Sequence, residues 1–198
     1  MAGTVTICPT LTTDRLVLRE LHEEDRAVVQ AYWADERFLA FYPPDRLSPE
    51  YCDETIDSAL TALAEFPRMG HHWAITLNGE TVGLIRLELS KRNSTGDIGY
   101  ELAPDHWGNG YATEALQEVV RFGFEELELH RLCAWAYDRN KASQRVLLKA
   151  GFTHEGAMRK KCSWGDDWVD DLIYGLLVDE WITSSPSSIL AQRNGGGG

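Results

Sequence analysis

The segment from Asp97 to Thr113, DIGYELAPDHWGNGYAT, constrains the fold more than any other stretch of the chain. Ile98, Tyr100 and Leu102 alternate as one apolar face of a strand requires, with Glu101 pointing the other way. Pro104 has no N–H to donate and ends the ladder. Gly108 and Gly110 can take positive φ and bring the backbone close to a ligand with no Cβ in between. Ala112, Ala115, Leu116, Val119, Val120 and Gly123 then recur at helical spacing. The chain must pass from strand through a tight turn into a helix whose first N–H groups face outward, an arrangement suited to an anion such as pyrophosphate. An ordinary strand–turn–helix connection would carry similar letters, so the turn alone does not settle a function.

Trp107, Gly110 and Ala112 stand at the three specified positions of Q/R-x-x-G-x-G/A, and the segment resembles the acyl-CoA-binding motif of the GNAT N-acetyltransferases. Trp107 departs from the Gln or Arg of that pattern. The string WGNGYATEAL is similar to the WGxGYAxEA version found in the ribosomal-protein N-terminal acetyltransferase (RimJ/RimL-type) subgroup. A second signature lies at 138–152, DRNKASQRVLLKAGF. By its chemistry Asn140 is a good helix N-cap, with Ser143 placed to satisfy a first-turn amide. The resemblance implies instead that Asn140 bonds a pantetheine arm and that Ser143 lies beside a thioester sulfur. It further implies acetyl-CoA as cosubstrate, with Leu102, Ala103, Trp107, Gly108, Asn109, Gly110, Tyr111, Ala112, Thr113, Asn140, Ser143 and Arg145 as its binding residues.

Acetyl transfer to an amine asks for few parts. An ammonium of pKa about 10.4 must lose a proton before it can attack. The developing oxyanion needs a positioned donor, which a backbone N–H at the end of the Leu102 strand can supply. The departing thiolate, conjugate to a thiol of pKa about 8.5, gains from a proton, which Ser143 can give. Glu101 can accept the amine proton through water; as alternatives it faces solvent or binds an ammonium electrostatically. No metal and no covalent intermediate is required.

The elements read in the order β-α-α-β-β-β-α-β-α-β-β, an α+β layer fold and not a regular βαβ alternation. The GNAT fold implied by the resemblance has this order, with a mixed, mostly antiparallel central sheet flanked by helices. Residues 1–10 read as a loose lead-in, 11–182 as the N-acetyltransferase domain and 183–198, Ser-rich and ending in four glycines, as a disordered tail. Asn78-Gly79 between apolar runs is a hairpin signal. Phe38–Leu47, with Pro43-Pro44, reads as a loop. Ser48-Pro49-Glu50 opens a helix expected to run to about Phe66. The last strands are expected at Phe152–Lys161 and Val169–Val178, around a turn at Trp164–Asp167.

Among 198 residues, 19 basic against 31 acidic ones leave a net charge of −12, which argues against nucleic acid as a partner. Cys8, Cys52, Cys133 and Cys162 form no CxxC pair and read as free thiols, not as a zinc site. No apolar run approaches the ~20 residues of a membrane span, and the first residues lack a secretory pattern. A cytoplasmic location and no membrane partner are expected. Adjacent His71 and His72 point to opposite faces of a strand, poor metal geometry, and read as edge or surface histidines or, for one of them, as a residue near the substrate. Arg139, Lys141, Arg145 and Lys149 form a basic cluster that is either a solvated helix face or a partial counter-charge for CoA phosphates, with Lys141 or Arg145 favoured.

Trp164, Trp168 and Asp170 fall where this subgroup carries an aromatic-acid turn near the acceptor, and they fit equally as core and hairpin residues. Trp33, Phe38, Phe41, Tyr42 and Tyr51, alongside Asp35, Glu36 and Asp45, suit an organic cation, or a packed core. The acceptor remains open between a protein N-terminus, a polyamine-like or antibiotic-like small amine and an amino-acid derivative. A CoA-binding regulatory module without catalysis is the alternative from another class. Homodimerisation is compatible with this fold, and the sequence carries no sign of it.

Overall fold

The computed structural model describes residues 8–44, 48–62, 68–90 and 94–184. Its strands are β1 Leu11–Thr12, β2 Leu16–Glu20, β3 Gly70–Leu77, β4 Glu80–Leu89, β5 Thr95–Leu102, β6 Arg131–Tyr137, β7 Thr153–Trp164 and β8 Asp167–Leu177. The helices are α1 Arg26–Trp33, α2 Glu36–Leu39, α3 Pro49–Ala62, α4 Tyr111–Glu125, α5 Lys141–Lys149 and α6 Val178–Ser184. One eight-stranded sheet runs in the order β1-β2-β3-β4-β5-β6-β8-β7. Every neighbouring pair is antiparallel except β5 with β6. This is the mixed, mostly antiparallel α+β sheet expected of the sequence.

Strand periodicity divides the sheet into two faces. Leu16, Leu18, Trp73, Ile75, Ile85, Leu87, Ile98 and Leu102 point one way and meet Leu116, Val119 and Phe122 of α4 in the main core. Each fully buried side chain of that size contributes roughly 1.5–3 kcal/mol relative to exposure. The opposite face, with Leu84 and Ala103, is covered by Val29, Tyr32 and Trp33 of α1 and by Cys52 and Ile56 of α3. Asn78 and Gly79, at φ 52° and 89°, make the expected tight turn between β3 and β4.

The feature that shapes the site is a short parallel contact. β5 and β6 pair at Thr95–Arg131, Gly96–Leu132 and Asp97–Cys133 only. Beyond Asp97 the strands part, while β6 stays paired with β8 from Arg131 to Tyr137. A wedge therefore opens in the middle of the sheet, beside the second half of β5.

Several boundaries differ from the sequence-based expectations. Cys8 to Thr10 are anchored: Cys8 is buried, and the Pro9 carbonyl accepts the Trp73 indole N–H at 2.7 Å. Burial pushes the Cys8 thiol up to about 12. Part of the expected Phe38–Leu47 loop is helical, because Asp35 caps α2 by accepting the Arg37 amide at 2.8 Å. Ser48 accepts the Tyr51 amide at 3.1 Å, as an N-cap does, and the expected helix end near Phe66 lies outside the described residues. The last two strands are longer than expected and turn at Gly165, φ 63°. The short helix α6 extends through Ser184, past the expected domain end; the rest of the expected tail, and residues 1–7 of the lead-in, lie outside the described residues.

Candidate active site

A cavity of about 1020 Å³ occupies the wedge. Ile98, Gly99, Tyr100, Glu101 and Leu102 all line it, although their side chains alternate between the two faces. The cavity thus passes through the sheet. One end reaches the glycine turn and α5, the other the aromatic wall of α1 and α3.

At the first end, Gly108 and Gly110 adopt φ 79° and 84°, and α4 starts at Tyr111 with no side chain capping it. The first amides of α4 are therefore left for another acceptor. Trp107, Gly108, Gly110, Tyr111, Ala112 and Thr113 line the cavity here. Arg15, which the sequence pattern does not single out, locks the turn. It donates to the Asn109 carbonyl at 3.0 Å and to Glu114 at 2.7 Å, and stacks over Tyr111 at 4.6 Å. Glu114 lies in the first turn of α4, where its charge would oppose a bound anion; Arg15 offsets it.

Two expected cosubstrate residues fall outside the cavity lining. Asn109 is exposed, and its amide donates to the His106 and Trp107 carbonyls at 3.3 and 3.1 Å, so it shapes the turn. Ala103 packs against the α1–α3 cluster, and its amide bonds the Val82 carbonyl at 2.9 Å. That bond has a useful corollary. Successive strand residues point their backbone groups to opposite edges, so the N–H and C=O of Leu102 face the gap that β6 has left. The Trp107 indole takes that carbonyl at 2.8 Å. The departure from Gln or Arg at position 107 thus supplies a strut between the end of β5 and the turn.

Asn140 performs the capping role: its Oδ1 accepts the Ser143 amide at 3.0 Å. It also lines the cavity, together with Ser143, Arg145 and Lys149. The Ser143 hydroxyl lies 2.9 Å from the Tyr100 hydroxyl, which is also 3.0 Å from the Ser143 carbonyl. Of the basic cluster, Arg139 is ion-paired with Asp167 and Lys141 contacts Gln144 at 3.4 Å, leaving Arg145 and Lys149 as the members that face the cavity.

At the other end, Glu101 is held by two donors on one oxygen. Tyr32 Oη donates to Oε1 at 2.6 Å and Trp33 Nε1 at 2.7 Å. Glu101 is not the solvent-facing strand residue that its position also allowed. Burial raises its pKa above the ordinary carboxylate value, against the lowering effect of Tyr32, Trp33 and the charge of Arg86. Trp33, Phe38, Phe41, Tyr42 and Tyr51 line this end, and Trp33, Phe38 and Tyr42 are also packed together there, as the packed-core alternative expects. The expected acids are placed differently. Asp35 caps α2, Glu36 is not in the lining and Asp45 lies outside the described residues; the acids in the wall are Glu54, Glu88, Glu101 and Asp171.

The two histidines separate as strand alternation requires, though His71 is neither edge nor surface. It is 1 % exposed, stacked on Trp73 at 5.5 Å, and burial lowers its pKa to about 4. His72 faces the cavity and pairs with Glu88 at 2.9 Å. In the β7–β8 hairpin, Trp164 packs on Tyr137, Trp168 is exposed, and Asp170 accepts the Lys160 amide at 2.8 Å; none lines the main cavity. Among the described residues no group of three or more His, Cys, Asp or Glu can hold a metal ion, and no helix is long and apolar enough to cross a membrane.

The family described as "Acetyltransferase (GNAT) domain" matches residues 15–153. The N-acetyltransferase YoaA of Bacillus subtilis, itself uncharacterized, is 31% identical over 177 residues, covering 85% of this chain and 97% of that one. The [ribosomal protein uS5]-alanine N-acetyltransferase of Escherichia coli is 28% identical over 178 residues, covering 86% and 92%. In three dimensions, Mycobacterium smegmatis RimJ in complex with CoA-disulfide superimposes with a TM-score of 0.77 at 23% identity, covering 95% and 96%.

Proposed function

The chain belongs to the GNAT family and is an N-acetyltransferase, and from that premise we propose that it moves an acetyl group from acetyl-CoA directly to an amine received beside Glu101. The observation that carries this reading is the cavity itself, which joins an uncapped helix start to an enclosed carboxylate through the wedge in the sheet. The N–H groups at Gly108–Thr113 suit the pyrophosphate, with Arg145 and Lys149 as nearby counter-charges. Asn140 and Ser143 flank the path of the pantetheine arm. The likeness to ribosomal-protein acetyltransferases and to a CoA-bound RimJ supports this donor and a protein N-terminus as one acceptor; a small amine is the other.

In this reading each step is assigned to a residue. An amine near Glu101 gives up its proton, directly or through one water, to a carboxylate whose raised pKa brings it closer to working pH. Tyr32 and Trp33 occupy one oxygen and fix the orientation of the other. The outward N–H of Leu102 is the donor for the carbonyl oxygen as it gains charge. Ser143 gives a proton to the departing thiolate. Tyr100 can then donate to the Ser143 oxygen, since the two hydroxyls lie 2.9 Å apart.

The test is thiol release from acetyl-CoA by the purified protein, with peptides of varied N-termini, polyamines, aminoglycosides and amino-acid amides offered in turn. Release above the acceptor-free background establishes the reaction and names the acceptor class. Tight acetyl-CoA binding with no release from any acceptor would instead leave an acceptor outside this panel or a CoA-binding regulatory module. Failure to bind acetyl-CoA would remove the reading altogether.

A further inference from the structure

The acceptor end of the cavity contains an arginine that, among the described residues, has no carboxylate in contact. Arg86 projects from β4 on the same face as Glu101 and lines the cavity. Among the described residues it forms no ion pair, and the acids nearest it along β4 and β5 are engaged elsewhere or stand off. Glu88 is paired with His72, and Glu101 holds Tyr32 and Trp33. Asp97 lies opposite Glu88 one step along the ladder. Burial raises the pKa of Asp97 and Glu101 and the His72 hydrogen bond lowers that of Glu88; the charge of Arg86 acts on all three in the lowering direction.

The room for this guanidinium comes from a glycine. Arg86 pairs across the strands with Gly99, and a Cβ at Gly99 would overlap the guanidinium. Gly99 does not have a left-handed φ, so its backbone does not demand glycine; the missing side chain is what matters. Arg86 is exposed, and a guanidinium that faces the cavity with no ion-pair partner is a two-pronged donor that fits a carboxylate.

We propose that Arg86 binds a carboxylate carried by the acceptor, so that the enzyme acetylates amines bearing an acidic group several bonds away. The proposal rests on the reading of Glu101 as the place where the amine is received. Arg86 and Glu101 are diagonal neighbours across β4 and β5, about 7–8 Å apart at the backbone. That spacing suits an acidic side chain near the start of a peptide, or a linear amino acid with its amine and carboxylate at opposite ends. A polyamine would bring a second cation toward the guanidinium and is disfavoured.

The experiment compares the amidated tripeptides Ala-Glu-Ala and Ala-Gln-Ala, the linear pair 6-aminohexanoate and 6-aminohexanamide, and spermidine. For each, kcat/KM is measured with the native protein, Arg86→Gln and Gly99→Ala, and binding is measured by calorimetry with CoA present. The expected result is a preference of roughly tenfold or more for the acid member of one pair, and that pair identifies the source of the carboxylate. The preference should collapse toward unity in Arg86→Gln and fall partway in Gly99→Ala, where the guanidinium is displaced on an intact strand. Equal values for acid and amide in both pairs, spermidine as the best acceptor, or a preference that survives Arg86→Gln would overturn the proposal. Thiol release without any acid preference would leave the transferase reading standing and remove the carboxylate site. Acid-selective binding that depends on Arg86, with no thiol release from any compound, would do the reverse.

Discussion

The two ends of the cavity are made from different material. At the glycine turn the groups that face the space are largely backbone N–H, supplied by the single run from Gly108 to Thr113. At the acceptor end they are side chains gathered from α1, α3, β3, β4 and β5, and the bond from Tyr32 to Glu101 spans 69 residues of chain. A backbone site depends on turn geometry and tolerates change in the side chains around it. A side-chain site can change its ligand with one substitution while the fold stays as it is.

The largest expected effect falls on the acceptor end. Glu101→Gln should lower turnover by about 10²–10⁴-fold, most severely at low pH where the amine is protonated, with acetyl-CoA affinity nearly unchanged. Equal turnover at every pH would remove Glu101 from the mechanism. At the junction of the two ends, Ser143→Ala should slow the single-turnover chemical step while acetyl-CoA still binds, and Tyr100→Phe should slow it less. An unchanged single-turnover rate in Ser143→Ala would exclude it as the acid.

The glycine turn should respond in the opposite sense. Gly110→Ala forces a left-handed φ of 84° on an L-residue at a cost of roughly 1–2 kcal/mol, which predicts acetyl-CoA binding weakened by about tenfold. Acceptor preference should stay the same, and a change in it would blur the division between the ends. The smallest effect concerns stability. The folded-state pKa of Glu101 is raised, so ionisation penalises the fold as pH climbs from the unfolded value of about 4.3 toward and through the folded one. The urea midpoint of Glu101→Gln relative to the native protein should therefore rise from pH 4 to pH 7. A relative midpoint that falls over that range would mean that the carboxylate is better solvated than its position implies.

The same division explains what was legible in the sequence. Strand alternation at Ile98–Leu102, the positive-φ glycines and the helical spacing from Ala112 are local patterns, and each corresponds to an observed element. Asn140 as a cap is equally local. Glu101 was visible as a carboxylate opposite an apolar face, but Tyr32 and Trp33 as its donors depend on how α1 lies over the sheet. Arg86 carries no signal in one dimension, because its meaning comes from the register that sets it against Gly99. Arg15 is similar: it stands just before β2 and locks the turn only once that strand lies beside α4. His71 shows the limit of alternation, which separates the two histidines without telling which face is core.

The parting of β5 and β6 has a kinetic consequence. Because the gap runs through the sheet, the proposed donor seat at α4 and α5 and the proposed acceptor seat at α1 and α3 lie on opposite faces and converge at Leu102. Neither reactant has to vacate its seat for the other to enter. Initial-rate plots at several fixed acceptor concentrations should therefore intersect and not run parallel, the signature of a ternary complex in which both reactants are held at once.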